Sequence, residues 1–162
     1  MPDLLVKLYE LPLLEPVMKK PGQSGVEVRR AIAPEKHLIC AWARAHFNEG
    51  WASEIEVGFA QTPTGVFVAT KNGKCVGFAC YDVTCRGFFG PVGVDKVERG
   101  SGIGSALTLA ALHAMRDVGY GYAIIGAAGP VDFYARLCGA TAIEGSSPGV
   151  YRGMLKALPS SN

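Results

Sequence analysis

Apolar and β-branched residues cluster in short runs along this chain, and glycine, proline or asparagine separates one run from the next. Runs at 26–32, 66–70 and 74–84 predict three strands. Asn72-Gly73 joins the last two runs and predicts a hairpin, because both residues tolerate positive φ. Residues 122–126 are apolar on both sides, which predicts a strand covered on both faces in a parallel pair.

The longest periodic segment is Gly102–Val118, where apolar residues recur at steps of three and four positions. This spacing predicts an amphipathic helix with a broad apolar face. Shorter helices are predicted from Pro34 to about Phe47 and over 130–138. A loop followed by a short helix is predicted over 48–62.

The two ends of the chain follow different patterns. Residues 1–24 begin with alternating apolar positions and then carry prolines such as Pro16 and Pro21, which interrupt any regular element. This segment is either a short extra strand that packs on the body or a flexible arm. A final hairpin is predicted from residues 141–144 and 150–155. The sum is a mixed α/β fold in which antiparallel hairpins flank one strand–helix–strand unit.

The segment Arg86–Val94 predicts a strand that leaves its ladder partway along. It carries Gly90, Pro91 and Gly93 within a few positions. Proline has no N–H to donate to a ladder, and glycine marks bulges and close approaches of the backbone. We therefore expect the pairing of this strand to be interrupted.

The composition is that of one globular domain, with 162 residues, 49% hydrophobic and 19% charged. A formal net charge of +2 argues against nucleic acid as the main partner. The longest uncharged stretch, Gly100–Met115, is too short and too polar to span a membrane. No secretory signal and no metal site are predicted, and the five widely spaced cysteines suggest reduced thiols. We therefore expect a cytoplasmic protein.

The most informative segment is Arg99–Gly104, RGSGIG, between the interrupted strand and the long helix. Glycines let successive N–H groups point inward, and the start of a helix adds partial positive charge, so this turn predicts a site for phosphate groups. The dinucleotide-binding pattern GxGxxG does not match, because its third glycine is absent whether the pattern starts at Gly100 or at Gly102. The phosphate-binding pattern GxxxxGK[ST] does not occur anywhere in the sequence. The pattern R-x-x-G-x-G is complete at Arg99, Gly102 and Gly104.

With Val92-Gly93-Val94 before it and Phe133-Tyr134 on the helix after the next strand, this pattern resembles the coenzyme A signature of the GNAT acetyltransferase superfamily. The resemblance covers about residues 26–157, and we expect the acetyltransferase domain at 25–158, after the segment 1–24. It implies a splayed central pair of parallel strands and acetyl-CoA as the acetyl donor. It assigns cofactor binding to the strand and the loop, at Val92, Gly93, Val94, Arg99, Gly100, Ser101, Gly102, Ile103, Gly104 and Ser105.

Acetyl transfer to an amine needs a neutral nucleophile, a donor for the oxyanion and an acid for the leaving thiolate. The resemblance implies Tyr134 as the general acid, with a packing role as the alternative. Many members carry a glutamate on the strand before the loop, whereas this strand has phenylalanines at 88–89. We therefore look elsewhere for the catalytic base and choose Glu54, with Glu56, Asp82, His46 and His113 as alternatives.

The acceptor is expected to be a small primary amine, bound by aromatic and acidic side chains of the early loop and the strands. These are Trp51, Glu56, Tyr81, Asp82 and Phe89. Two rival functions stay open: a CoA-binding sensor or interaction module that has lost catalysis, and a domain whose glycine turn binds another phosphate ligand, such as a nucleotide. A homodimer is compatible with the resemblance, because many members of the family are dimers.

Overall fold

The computed structural model describes residues 1–160, and a seven-stranded sheet forms its centre. The strands are β1 (Leu4–Lys7), β2 (Val26–Arg30), β3 (Val66–Lys71), β4 (Lys74–Tyr81), β5 (Phe88–Val94), β6 (Tyr122–Ile125) and β7 (Thr141–Ala142). Their order across the sheet is β2-β3-β4-β5-β6-β1-β7. Neighbouring strands are antiparallel except β5 and β6, which run parallel. The mixed α/β fold is therefore confirmed.

Within residues 1–160, five α-helices cover the two faces of the sheet. They are α1 (Leu14–Gln23), α2 (Lys36–His46), α3 (Glu49–Phe59), α4 (Ile103–Asp117) and α5 (Val131–Cys138). On one face, Ile39 of α2 and Ile55 of α3 share a buried cluster with Phe78. On the other face, α4 is the central element of a larger cluster, which α1 and α5 join. Within residues 1–160, no helix is both long and apolar enough to cross a membrane.

Residues 1–24 contribute a strand inside the sheet and a helix on its surface. β1 lies between β6 and β7, and its Leu4 and Val6 are fully buried. The expectation that prolines interrupt this segment is wrong for α1. Pro16 lies in the first turn, where an amide has no partner within the helix, and Pro21 lies in the last turn, where it removes a single hydrogen bond.

Two further predictions are wrong. The loop predicted at the start of 48–62 is almost absent, because Asn48 caps α3 by accepting a hydrogen bond from the Trp51 amide at 2.9 Å. The final hairpin is absent too, because β7 pairs with β1 and Gly149–Tyr151 is a 3-10 turn. The N-terminal strand β1 is thus the partner of β7, in place of residues 150–155.

The five cysteines are all free. Residues 1–160 contain no cluster of three or more His, Cys, Asp or Glu side chains placed to hold a metal ion. Burial raises the pKa of the Cys75 thiol to about 12 and that of the Cys138 thiol to about 11. Both thiols are therefore neutral near pH 7, and a neutral thiol is a poor nucleophile.

Candidate functional site

β5 and β6 pair over two residues of each strand and then separate. Phe88 lies opposite Ile124 and Phe89 opposite Ile125, and the described pairing stops there. β5 continues along β4 on its other side as far as Val94. The interrupted pairing predicted from the sequence is confirmed, and it leaves the edge of β5 that faces β6 free beyond Phe89.

A cavity of about 850 Å³ opens between the separated strands, and we call it the β5–β6 cavity. It reaches both faces of the sheet, because Trp51 lines it from the α3 side and Tyr134 lines it from the α5 side. Its remaining walls come from Met1, Lys20, Phe47, residues 89–94, most of 98–105, Thr108, residues 125–130 and Phe133. A volume of this size is typical of a site for a small molecule or cofactor.

The glycine-rich loop forms one wall of the β5–β6 cavity. Gly100 and Gly102 have φ angles of +84° and +85°, the left-handed region that favours glycine. Gly102 is also the N-cap of α4, so the first amides of α4, which have no partner within the helix, begin at this wall. The conformation is therefore suited to an anion, as the sequence pattern predicts.

Nine of the ten predicted cofactor residues line the cavity, and Ser101 is the exception. The Ser101 hydroxyl donates instead to the carbonyl of Glu98 at 2.5 Å, which shapes the loop from outside. Arg99 donates through Nε to the carbonyl of Val94 at 3.3 Å. This bond holds Arg99 against the end of β5, where the free edge of the strand meets the loop.

Thr108 is a cavity-lining residue that the motif did not include. Its side chain is fully buried, and Oγ1 has no hydrogen-bond partner among the residues described. Leaving a buried hydroxyl unpaired costs about 1–3 kcal/mol, so the cavity fits a ligand that carries a polar group at this depth. The helix period could have indicated Thr108 from the sequence, because this residue lies one turn after Gly104 on the same face of α4.

Lys20 reaches the glycine-rich loop from α1. Its Nζ donates to the carbonyl of Gly100 at 3.2 Å, across 80 positions of sequence. No local pattern links Lys20 to the loop, because the contact depends entirely on where α1 packs.

Tyr134 lies on α5 with only 5% of its surface exposed. Its ring packs edge-on against Phe89 and Phe133, with centroids 6.3 and 5.1 Å away. Burial raises the pKa of Tyr134 to about 12. The hydroxyl therefore keeps its proton at neutral pH, which a general acid requires.

Glu54 lies beside the β5–β6 cavity rather than on its wall. It follows Trp51 by three positions on α3, and its Oε1 accepts a hydrogen bond from the Thr84 hydroxyl at 2.5 Å. Burial raises the pKa of Glu54, although the Thr84 bond acts in the opposite direction. A raised pKa makes the carboxylate a better proton acceptor. Tyr151 stands nearby, and its own pKa is raised by burial first and then by the charge of Glu54.

Two of the five predicted acceptor residues line the cavity, and Glu56 does not. Trp51 packs against Phe47, with ring centroids 4.5 Å apart, and both rings form the wall on the α3 side. Phe89 forms part of the opposite wall. Glu56 is exposed on α3 and lines a separate, smaller depression together with Lys36.

Tyr81 and Asp82 also lie outside the cavity, and their polar atoms are already engaged. The Tyr81 hydroxyl accepts a hydrogen bond from the Arg30 guanidinium at 2.9 Å. Asp82 accepts from the Gly87 amide at 2.7 Å and from the Tyr120 hydroxyl at 2.8 Å. These contacts tie strands and turns together, so neither side chain is placed to meet a molecule in the cavity.

Residues 28–140 match the model of the acetyltransferase (GNAT) family. This chain belongs to the GNAT family. A stretch of 65 residues is 45% identical to part of a mycothiol acetyltransferase from Thermobispora bispora, and the match covers 35% of this GNAT chain and 22% of that protein. Most of that relative therefore has no counterpart in the match.

Solved structures show the same GNAT fold at low sequence identity. A GCN5-related glucosamine N-acetyltransferase region of a fungal multi-domain GH3 β-N-acetylglucosaminidase has a TM-score of 0.71 at 17% identity, covering 88% of this chain and 19% of that one. A GCN5-related N-acetyltransferase from Sphaerobacter thermophilus has a TM-score of 0.67 at 18% identity, covering 88% and 48%. A GNAT family acetyltransferase from Brucella melitensis, solved in complex with acetyl-CoA, has a TM-score of 0.55 at 21% identity, covering 68% and 80%.

Proposed function

We propose that this GNAT-family chain is an N-acetyltransferase that uses acetyl-CoA to acetylate a primary amine of a small molecule. The observation that carries the proposal is the free edge of β5, which runs along the β5–β6 cavity to the glycine-rich loop. Acetyl-CoA supplies an acetyl group activated as a thioester. The name of the similar mycothiol acetyltransferase and the acetyl-CoA complex of the Brucella melitensis protein support acetyl as the transferred group.

The residues present fit such a donor. The amides of 100–104 and the Arg99 side chain would bind the diphosphate, because both present N–H donors to an anion. The backbone edge of β5 at Val92–Val94 that faces away from β4 would pair with the amides of the pantetheine arm, except at the Val94 carbonyl, which already accepts from Arg99. Thr108 Oγ1, which lacks a partner within the described residues, would hydrogen-bond a polar group farther along the cavity.

Three groups of this chain would serve the chemistry. Free backbone N–H groups on the edge of β5 would donate to the thioester carbonyl oxygen. The Tyr134 hydroxyl, protonated because its pKa is about 12, would deliver a proton to the departing sulfur. The acceptor amine is mostly charged at neutral pH, with an ordinary pKa of about 10.4, and Glu54 would take its proton. Since Glu54 lies beside the cavity, a water would carry that proton to it.

The acceptor would approach from the face covered by α2 and α3, opposite Tyr134. Phe47 and Trp51 form an aromatic wall there, so an amine with an apolar body fits better than a strongly polar one. We propose a small acceptor rather than a protein tail. We place the protein in the cytoplasm, where free thiols such as the five found here stay reduced.

One observation favours a second candidate, a CoA-binding module without catalysis. Glu98 is the acidic residue among the described residues that line the cavity, and its carboxylate is already paired with Lys71 at 3.1 Å. A base in direct contact with an acceptor is therefore missing from the described wall, and catalysis depends on Glu54 acting through water.

Calorimetry with acetyl-CoA, CoA, NAD and ATP tests the donor. We expect acetyl-CoA and CoA to bind and the nucleotides to bind far more weakly, whereas tight binding of NAD or ATP without CoA would contradict the proposal. Thiol release on a panel of small amines then tests catalysis. Tight binding of acetyl-CoA with no turnover of any amine would favour the inactive module.

A further inference from the structure

We propose that Lys20, on the N-terminal helix α1, is a binding residue for the diphosphate of the cofactor. This inference rests on the proposed use of acetyl-CoA, and it adds a cation that the glycine-rich motif does not contain. It means that α1 takes part in the site and does not merely cover the core.

The side chain of Lys20 lies across the loop. A Cβ placed on Gly102 would be 3.2 Å from Lys20 Cδ and 3.5 Å from its Cβ and Cγ, so the aliphatic stem packs directly on this glycine. The ammonium then donates to the Gly100 carbonyl at 3.2 Å. Lys20 lines the same cavity as Arg99 and Gly104, so the stem and the ammonium are held at the predicted phosphate wall.

The charges around the loop leave Lys20 available to an anion. An ammonium group has three donors, and the Gly100 carbonyl uses one of them. Glu98 also lines the cavity, and its carboxylate is paired with Lys71 rather than with Lys20. The unpaired hydroxyl of Thr108, fully buried in the same cavity, is an independent sign that a polar ligand belongs there.

Packing fixes α1 in place, and the family match does not include Lys20. Leu14 and Val17 of α1 pack on the core cluster built around α4, so the helix that carries Lys20 is anchored beside the start of α4. The family match begins at residue 28, whereas α1 ends at Gln23. The contact is therefore a feature of this chain's own N-terminal segment.

The test compares Lys20→Met with Lys19→Met by calorimetry against CoA and dephospho-CoA, which lacks the 3′-phosphate but keeps the diphosphate. Methionine keeps an unbranched stem over Gly102 and removes the charge. Lys19 is a matched control, because it is exposed on the same helix and does not line the cavity. We expect Lys20→Met to weaken both ligands about tenfold, as for one charge-assisted hydrogen bond, and Lys19→Met to change neither.

A third variant, Lys20→Arg, keeps the charge and should retain most of the affinity, which separates loss of the cation from damage to α1. Equal binding by wild type and Lys20→Met would overturn the inference, and so would a loss confined to CoA, because that would place Lys20 at the 3′-phosphate. Failure of the wild-type protein to bind CoA would instead overturn the proposed function, so the two failures are distinguishable.

Discussion

Replacing Thr108 by valine should stabilise the free protein and weaken its binding of CoA. The Thr108 hydroxyl is buried without a partner among residues 1–160, so it destabilises the free protein. In the complex the cofactor would form a hydrogen bond with this hydroxyl, so the same group would strengthen binding. Valine has the same branched shape, and it therefore removes the hydroxyl while leaving the packing of α4 nearly unchanged.

The expected size of the effect follows from the cost of the unpaired hydroxyl. That cost is about 1–3 kcal/mol, and taking its lower end gives the valine variant about 1 kcal/mol of added stability. For a chain of 162 residues, 1 kcal/mol shifts the melting temperature by about 2–4 °C. Loss of one hydrogen bond to the ligand should weaken CoA by roughly three- to tenfold.

Thermal unfolding with and without CoA measures both effects in one experiment, and calorimetry gives the affinity directly. Thr108→Ser is the control, because it keeps the hydroxyl and removes only a methyl group. The serine variant should bind CoA like the wild type and be slightly less stable, since it leaves a small void. If Thr108→Val gains no stability and binds CoA as tightly as the wild type, the hydroxyl has a partner such as the Gly104 carbonyl, and the reasoning fails.

Three other substitutions probe the loop, the acid and the base. Gly104→Glu should fold and lose CoA binding in calorimetry, because a Cβ there meets only Val94 at 3.7 Å whereas the new carboxylate repels phosphate. Tyr134→Phe should lower thiol release by roughly 10²–10⁴-fold with unchanged acetyl-CoA affinity. Because the pKa of Tyr134 is about 12, this hydroxyl keeps its proton at every pH below 10. Wild-type activity in that range should therefore show no decrease caused by its ionisation. Glu54→Gln should lower thiol release and also remove a pH dependence of stability. The native pKa of Glu54 is raised above its unfolded value, so its contribution is present at acidic pH and is lost as pH rises through the native pKa. Denaturant unfolding between about pH 4 and 8 measures that slope.

For each of these three variants, one result would contradict the prediction. Gly104→Ala adds no charge and should keep binding, so a Gly104→Glu variant that binds CoA normally would remove the loop from the site. Normal turnover by Tyr134→Phe would leave Tyr134 with a packing role. An identical pH profile of stability for wild type and Glu54→Gln would mean that Glu54 ionises in the native protein as it does in the unfolded chain.

Features that depend on a few adjacent residues were predictable from the sequence. The hairpin at Asn72-Gly73 formed as expected, because both residues adopt positive φ. The interruption of β5 followed from its glycines and its proline, and α4 followed from the spacing of its apolar residues. The same is true of the glycine-rich loop, whose left-handed turns at Gly100 and Gly102 few other residues would adopt.

Contacts between distant segments were not predictable in the same way. Residue type alone points to Tyr81 and Asp82 as acceptor residues, but their hydroxyl and carboxylate are engaged by Arg30, Gly87 and Tyr120. No sequence pattern points to Lys20, because its contact with the loop is set by the packing of α1 on α4. A local sequence pattern predicts the conformation of a segment, but it does not predict which distant residues will contact that segment in the fold.

The placement of β1 shows the difference between what the local sequence predicts and what contacts between distant segments decide. Alternation in residues 4–8 suggests a strand, yet the position of β1 between β6 and β7 depends on pairing with residues far away in the sequence, at 122–125 and 141–142. β1 buries Leu4 and Val6 completely, and Leu8 directly after it is buried too, whereas residues 150–155 include Arg152 and Gly153 and form no strand. Backbone conformation and the phosphate loop are short-range properties that neighbouring residues impose. Strand order and the cluster of Lys20, Thr108 and Tyr134 around one cavity arise only when distant segments compete to bury apolar surface.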